Sequence, residues 1–232
     1  MWITKLIKEI LFPVYCIGCG KEGMYICQNC LNKIPSFPYS LCPKCLRPYR
    51  SGGLCPNCQK SKFPISQLIV AASYKNEIIS QLVRKFKFYP FAIELSKPLG
   101  ILLSKAIKQS NTLSYLRKHR FILVPVPLFF KDKAERGFNQ SEELAKVVSQ
   151  ELELPLKTNL IRKNKKTKPQ VGLKAKERKK NLKQSFIAKK PISGNFLLID
   201  DIITTGATLK EVAQTLRQAG ANEIWAAVLA KA

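Results

Sequence analysis

The sequence predicts an α/β protein in which a parallel sheet covered by helices follows a small cysteine-rich unit. Three observations lead there. All eight cysteines lie before residue 60, in four Cys-x-x-Cys pairs. Beyond them, apolar runs of strand length alternate with stretches of helical period. One of these runs, FLLIDDIITTGAT at 196–208, passes into two adjacent carboxylates and then into hydroxyls around a glycine.

The cysteine pairs are CIGC (16–19), CQNC (27–30), CPKC (42–45) and CPNC (55–58). Two residues between sulfurs let both point into one tight turn, and two such turns supply the four thiolates of a tetrahedral zinc shell. Four pairs make two sites, so Cys16, Cys19, Cys27, Cys30, Cys42, Cys45, Cys55 and Cys58 are expected to hold two structural zinc ions. Disulfides would suit a secreted chain, but no secretory signal is seen here, and a redox protein rarely carries four such pairs. A closed thiolate shell leaves no open position for catalysis. Sequential use of the pairs closes the shorter loops and is favoured over an interleaved arrangement.

After SKFP the pattern changes, which divides the chain into residues 1–63 and 64–232. The expected strands are LIVAASY (68–74), FILVPV (121–126), FLLI (196–199) and IWAAVLA (224–230). Helical spacing appears in IISQLVRKF (78–86), SEELAKVVSQEL (141–152) and LKEVAQTLRQAG (209–220), the last stopping at Gly220. Near-continuous apolar strands separated by helices indicate a parallel sheet buried on both faces. In such sheets ligands bind beyond the carboxyl ends of the strands.

Forty Lys and Arg against fifteen Asp and Glu give a formal net charge of +25. Fourteen of the cations fall within 157–190, where Glu177 is the one acid. A block of that kind repels itself unless an anion holds it, and an anionic partner accounts for it better than a generally lysine-rich composition. No segment reaches the ~18–20 apolar residues needed to span a bilayer. The opening MWITKLIKEILFPVYC reads as an amphipathic helix rather than a signal segment, and a cytoplasmic protein is expected.

The run at 196–208 carries the chemistry. Its strand delivers Asp200 and Asp201 to the mouth of the sheet. Thr204, Thr205, Gly206, Ala207 and Thr208 then open the next helix, whose unpaired N–H groups and positive dipole end attract phosphate. Carboxylates beside a phosphate would repel it, so they must meet vicinal ribose hydroxyls or a magnesium ion. A sugar with a 5′-phosphate on one side and hydroxyls on the other satisfies both parts. The competing reading is a plain capping box formed by Thr208 and Glu211. It explains Thr208 but not the acidic pair.

LLIDDIITTGAT resembles the 5-phosphoribosyl 1-pyrophosphate (PRPP) loop of type I phosphoribosyltransferases. With VPVPL (124–128), ERGFNQSEELA (135–145), KPQVGLKAKERKKNLKQSF (168–186) and the paired cysteines, nearly the whole chain resembles the ComF family of competence proteins. The resemblance implies a double zinc ribbon, residues 1–63 with the N-terminal helix, ahead of a Rossmann-like phosphoribosyltransferase domain over 64–232. It implies that Asp200 and Asp201, the candidate catalytic pair, hold the ribose hydroxyls with magnesium nearby, and that residues 204–208 bind the 5′-phosphate. The turn after VPVPL stands where the pyrophosphate loop stands, which makes Lys131 and Arg136 candidates. Arg136 is the stronger of the two, because a guanidinium grips phosphate bidentately. Asn139 and Gln140 would orient that loop or cap the next helix.

The implied role is binding of PRPP and single-stranded DNA and handling of incoming DNA in natural transformation, with DNA-uptake machinery as a partner. Lys163, Lys165, Lys166, Lys168 and Arg178 are the candidate nucleic-acid contacts, in a hood that also holds Gln170 and Asn181. The alternative is transfer of a phosphoribosyl group from PRPP to a nitrogen acceptor with release of pyrophosphate. Tyr74, Phe86, Phe88 and Tyr89, with Arg84, Lys85 and Lys87, form either a base-stacking surface or an ordinary core segment. His119 reads as a solvated residue.

Overall fold

The computed structural model describes residues 13–37, 40–88, 91–164 and 185–232. The expected N-terminal helix lies outside the described residues, as do Tyr89, Lys165, Lys166, Lys168, Gln170, Arg178 and Asn181.

Two short helices, α1 (Gln28–Asn32) and α2 (Pro56–Gln59), each begin straight after the first cysteine of a Cys-x-x-Cys pair. Then come β1 (Gln67–Ser73), α3 (Glu77–Lys87), α4 (Ser96–Gln109), α5 (Leu113–Lys118) and β2 (Ile122–Pro125). They are followed by α6 (Phe130–Arg136), α7 (Gln140–Leu152), β3 (Ile161–Lys163) and β4 (Phe186–Ala188). The last elements are β5 (Asn195–Ile203), α8 (Ala207–Gln218) and β6 (Glu223–Lys231).

Four strands form one parallel sheet in the order β1-β6-β5-β2, and β3 and β4 pair antiparallel beside it. Alternate residues of β5 serve the two faces. Leu197 and Ile199 join α3, α4 and α7 in one core, whereas Phe196 and Leu198 join Leu209, Val212, Ala213 and Leu216 of α8 in the other. The apolar strands read from the sequence are therefore buried on both sides, as a helix-covered parallel sheet requires. Among the described residues, no helix is long and apolar enough to cross a membrane.

The cysteine-rich segment packs on this sheet. Cys16, Ile26, Cys30, Leu31 and Ile34 share the α3 core, while Leu41 and Ile65 belong to the α8 core. The Phe37 amide donates to the Ala71 carbonyl of β1 at 2.9 Å, and the Ser66 amide to Ile224 of β6 at 2.8 Å.

Several elements lie outside the expected set. α4 begins SKPLG, and Pro98 with Gly100 conceals a helix from a propensity reading. Proline is tolerated in the first turn, where its missing N–H has no intrahelical partner. Gly100 is a close-approach position, because a Cβ there would stand 2.5 Å from the Cβ of Val147 in α7. The turn expected after VPVPL is the seven-residue helix α6. The strand expected to end at residue 199 runs on through both aspartates to Ile203.

Gly100→Ala should separate α4 from α7 and cost about 1–3 kcal/mol through overpacking. The expected thermal shift is a fall of roughly 2–4 °C per kcal/mol, with zinc content unchanged.

Candidate ligand and metal sites

Asp200 and Asp201 are only 8% and 6% exposed. Two adjacent carboxylates cannot be buried without partners, and each has a named one. Ser141 donates its hydroxyl proton to Asp200 Oδ1 at 2.8 Å. Lys87 Nζ lies 3.0 Å from Asp201 Oδ2. The Asp201 amide donates to Asp200 Oδ1 at 3.0 Å, and the Ile202 amide to Asp201 Oδ1 at 2.7 Å.

The segment ERGFNQS supplies the scaffold for these contacts. Arg136 ends α6, and Gly137 turns the chain out in the left-handed conformation. Phe138 is buried, 5.5 Å from the Phe86 ring centroid. Asn139 caps α7 by accepting from the Ser141 amide at 3.2 Å, and its Nδ2 donates to the Val126 carbonyl at the end of β2. Gln140 donates to the Phe86 carbonyl at 3.3 Å and accepts from Arg136 Nη1 at 3.2 Å. The motif thus fixes three site groups together: the Ser141 hydroxyl, the Arg136 guanidinium and the end of α3 that carries Lys87.

Burial, then the charge of Asp201, pushes the Asp200 carboxyl up to about 7, although Lys87 and the Ser141 hydrogen bond oppose the shift. For Lys87 burial works against the charge, but Asp201 and Asp200 outweigh it and hold the ammonium above the ordinary lysine range. Lys163, at the end of β3, is drawn below that range by burial, with Asp132 and Asp200 opposing. Its ammonium lies 6.0 Å from the Phe186 ring centroid. Lys131 is exposed, and its ammonium lies 6.0 Å from the Phe130 ring.

Beyond β5, Thr204 and Thr205 are exposed and Gly206 takes a left-handed φ of 71°. Gly206 is the N-cap of α8 and offers no side-chain cap. Thr208 lies inside the helix, so a Thr208–Glu211 capping box does not begin it. The Ala207 amide donates to the Thr205 hydroxyl at 3.4 Å, and a helix start with a glycine N-cap, preceded by two exposed hydroxyls, suits an oxyanion. The donor set of Asp200 and Asp201 is all oxygen, which fits a hard divalent cation such as magnesium.

The stacking surface considered around FKFY is not assembled. Phe86 is fully buried in the α3 core, and only Phe88 of the described members is well exposed. His119 stacks against Tyr115 at 4.1 Å, remote from the aspartates in its contacts. Sequence reading missed Ser141 and undervalued Lys87. The signal for Ser141 was its place directly after the Asn-Gln that begins α7.

The cysteines gather in sequence order. Cys16, Cys19, Cys27 and Cys30 form one group and Cys42, Cys45, Cys55 and Cys58 the other, with sulfurs within 4.8 Å of one another in each. Cys19 and Cys27 sulfurs are 3.7 Å apart, and those of Cys45 and Cys55 3.8 Å. A tetrahedron with Zn–S bonds of ~2.3 Å has edges of about 3.8 Å, so the groups fit zinc. Without a cation such groups cannot all ionise. Hydrogen bonding with Cys27, then burial, pushes Cys30 up to about 12, and burial followed by Cys55 does the same to Cys58.

A double zinc ribbon joined to a phosphoribosyltransferase-type parallel sheet is the class of protein these features define. The double zinc ribbon family model matches residues 7–59, and the phosphoribosyl transferase domain model matches residues 139–232. The chain belongs to the ComF family of competence proteins. It is 33% identical over 234 residues to competence protein F of Haemophilus influenzae, spanning 95% of this chain and 98% of that protein. It is 30% identical over 204 residues to the DNA utilization protein YhgH of Escherichia coli, covering 86% of this chain and 88% of that one. Against competence protein ComFC of Bacillus subtilis it is 30% identical over 210 residues, 86% and 81% of the two chains.

Two zinc ions per chain are expected by elemental analysis. Because Cys16, Cys30 and Leu31 share the sheet's core, chelation should lower the unfolding temperature of the whole molecule. An unchanged transition after zinc loss would contradict that coupling. A second outcome concerns pH. The raised Asp200 favours the fold fully below the ordinary carboxyl range, and that contribution is lost as pH rises through about 7. Asp200→Asn in magnesium-free buffer should therefore stabilise the protein at pH 8 by about 1–3 kcal/mol, at ~1.4 kcal/mol per pKa unit, with a smaller gain at pH 5.

Proposed function

We propose that the carboxylate site binds PRPP with magnesium and that the protein handles single-stranded DNA during natural transformation. The observation that carries the ligand reading is the buried Asp200–Asp201 pair, braced by Ser141 and Lys87 one turn before a helix start with no side-chain cap. In this reading the aspartates accept hydrogen bonds from the ribose hydroxyls. The Thr204–Thr208 turn holds the 5′-phosphate through backbone N–H groups and hydroxyls. Arg136, kept in place by Gln140, takes the pyrophosphate, with Lys131 at the outer edge. Lys163 serves the same anion, since its charge is coupled to that of Asp200 and Arg136. When bound, magnesium would be held by Asp200 and Asp201 and would supply charge neutralisation for a phosphorylated ligand.

Diol binding at Asp201 must compete with Lys87. A ligand that brings its own phosphates offers Lys87 a new partner at the moment it loses the old one, which favours a phosphorylated sugar over a plain one. The nucleic-acid part of the reading is supported by the net charge of +25 and by relatives named for competence and DNA utilization. Phosphoribosyl transfer to a nitrogen acceptor is the second reading, favoured by the retained acidic pair.

PRPP with magnesium should stabilise the wild type by about 2.7 kcal/mol at a hundredfold excess over Kd. The Asp200→Asn/Asp201→Asn double variant should lose most of that gain. Equal stabilisation of both proteins would reject the assignment of the carboxylates. Pyrophosphate release that depends on an added base and disappears in the double variant would favour the transferase reading instead.

A further inference from the structure

The outward face of α8 belongs to neither the carboxylate site nor the ribbons' metal groups. Its inner positions, Leu209, Val212, Ala213 and Leu216, are buried, which leaves Lys210, Glu211, Gln214, Thr215, Arg217 and Gln218 along the outside. Two open grooves flank this face. One, of about 360 Å³, lies between α8 and the segment Lys62–Phe63–Pro64 that leads out of the second ribbon. The other, of about 560 Å³, lies between α8 and β4 with the following Lys189–Lys190–Pro191. Gln218 lines both, so its side chain stands where the two grooves come closest.

Among the described residues, the charged side chains that line these grooves are cationic. Lys62, Lys189 and Lys190 are exposed, and none has an acidic partner among the described residues. Glu211, on the same helix, is not among the described residues lining either groove. Lys210 lies over the Phe63 ring at 6.0 Å, which adds a cation and an aromatic surface at one end. Ile187, 38% exposed, adds an apolar patch at the other. Amide side chains of Gln214 and Gln218 stand between. Arg217 is already committed, since its guanidinium donates to the carbonyls of Ala221 and Asn222 and closes the end of α8.

We infer that this groove is a track for single-stranded nucleic acid, distinct from the carboxylate site. The inference rests on the nucleic-acid part of the proposed function and assigns it to a surface. Cations on both walls match a phosphate backbone, whereas apolar and amide groups on the floor suit bases that are free of pairing. A duplex keeps its bases turned inward and would leave the Phe63 and Ile187 surfaces unused. An acidic peptide would use the cations but not the Phe63 and Ile187 surfaces. Lys210 stands in the first turn of α8, but Gln218, which both grooves share, stands about 16 Å along the helix axis from Ala207 at ~1.5 Å per residue. An oligonucleotide seated around Gln218 would leave the turn at 204–208 open to a second ligand.

The test uses the zinc-loaded full chain and a fluorescein-labelled 20-mer of dT, followed by anisotropy between 50 and 200 mM salt, a range chosen because counterion release is resolved there. Lys62→Gln/Lys189→Gln/Lys190→Gln should weaken binding by at least about tenfold and reduce the salt slope by about 2, at roughly 0.7 per phosphate contact. Lys97→Gln/Lys105→Gln/Lys108→Gln on α4 is the control and should keep the wild-type slope. PRPP-induced stabilisation should be unchanged in both variants. If the wild type binds the 20-mer and the groove variant keeps its slope, the track is refuted while the nucleic-acid reading stands. A wild type that binds no oligonucleotide refutes that reading itself. Polyglutamate or duplex DNA displacing the 20-mer as well as unlabelled dT does would also overturn the inference, by marking a general polyanion or protein surface.

Discussion

Two neighbouring carboxylates held out of water are the constraint around which the sheet's ligand end is arranged. Each of them alone would disfavour burial, and together they repel. The Ser141 hydroxyl and the Lys87 ammonium reach them from two different helices, α7 and α3. Those helices are in turn tied to each other by Gln140, which bonds the last turn of α3. Removing any one of these residues leaves a buried acceptor or charge without its partner, a more expensive loss than a missing surface contact. The arrangement also sets the site's resting state. Both carboxylates are engaged by neighbouring side chains, so this end of the sheet is held in shape by its own contacts.

The fold was legible where burial dictates pattern. Four apolar runs became the four strands of the sheet, because strands covered on both faces need uninterrupted apolar sequence. The helices of α3, α7 and α8 kept their period for the same reason. α4 was hidden, since Pro98 and Gly100 lower helix propensity locally while tertiary packing against Val147 selects them. α6 and the β3–β4 pair are short and lie outside the main sheet, so neither period nor length announces them. At the site, residue chemistry identified the acidic pair and the turn after it. What could not be read from spacing was the bracing, because Ser141 is 59 residues from Asp200 and Lys87 lies more than a hundred from Asp201. Lys163 shows the same limit. Its sequence neighbourhood is a basic run, and its strand neighbours in space are Phe186 and Phe129.

The cysteine groups are a second illustration. Spacing gave the ligands and their sequential use, since each group closes within about fifteen residues. It did not indicate that the ribbons would share the sheet's two cores. Cys16 and Cys30 are packing residues of the α3 face as well as candidate metal ligands, and Leu41 beside Cys42 reaches the α8 face. The metal groups thus fix the geometry of side chains that the sheet itself depends on.

The pairing of β1 has a consequence for the order in which the molecule can assemble. Gln67 of β1 is opposite Trp225 of β6, so the strand leaves the ribosome about 158 residues before its neighbour. During that interval an apolar strand has no sheet to join, which is the circumstance that exposes nascent chains to wrong partners. The ribbons are made earlier still, from contacts that are short in sequence. The Phe37 amide already engages Ala71 of β1. A ribbon assembled early can therefore sit on the waiting strand as an internal chaperone, and metal supply during synthesis becomes a determinant of yield as well as of final stability.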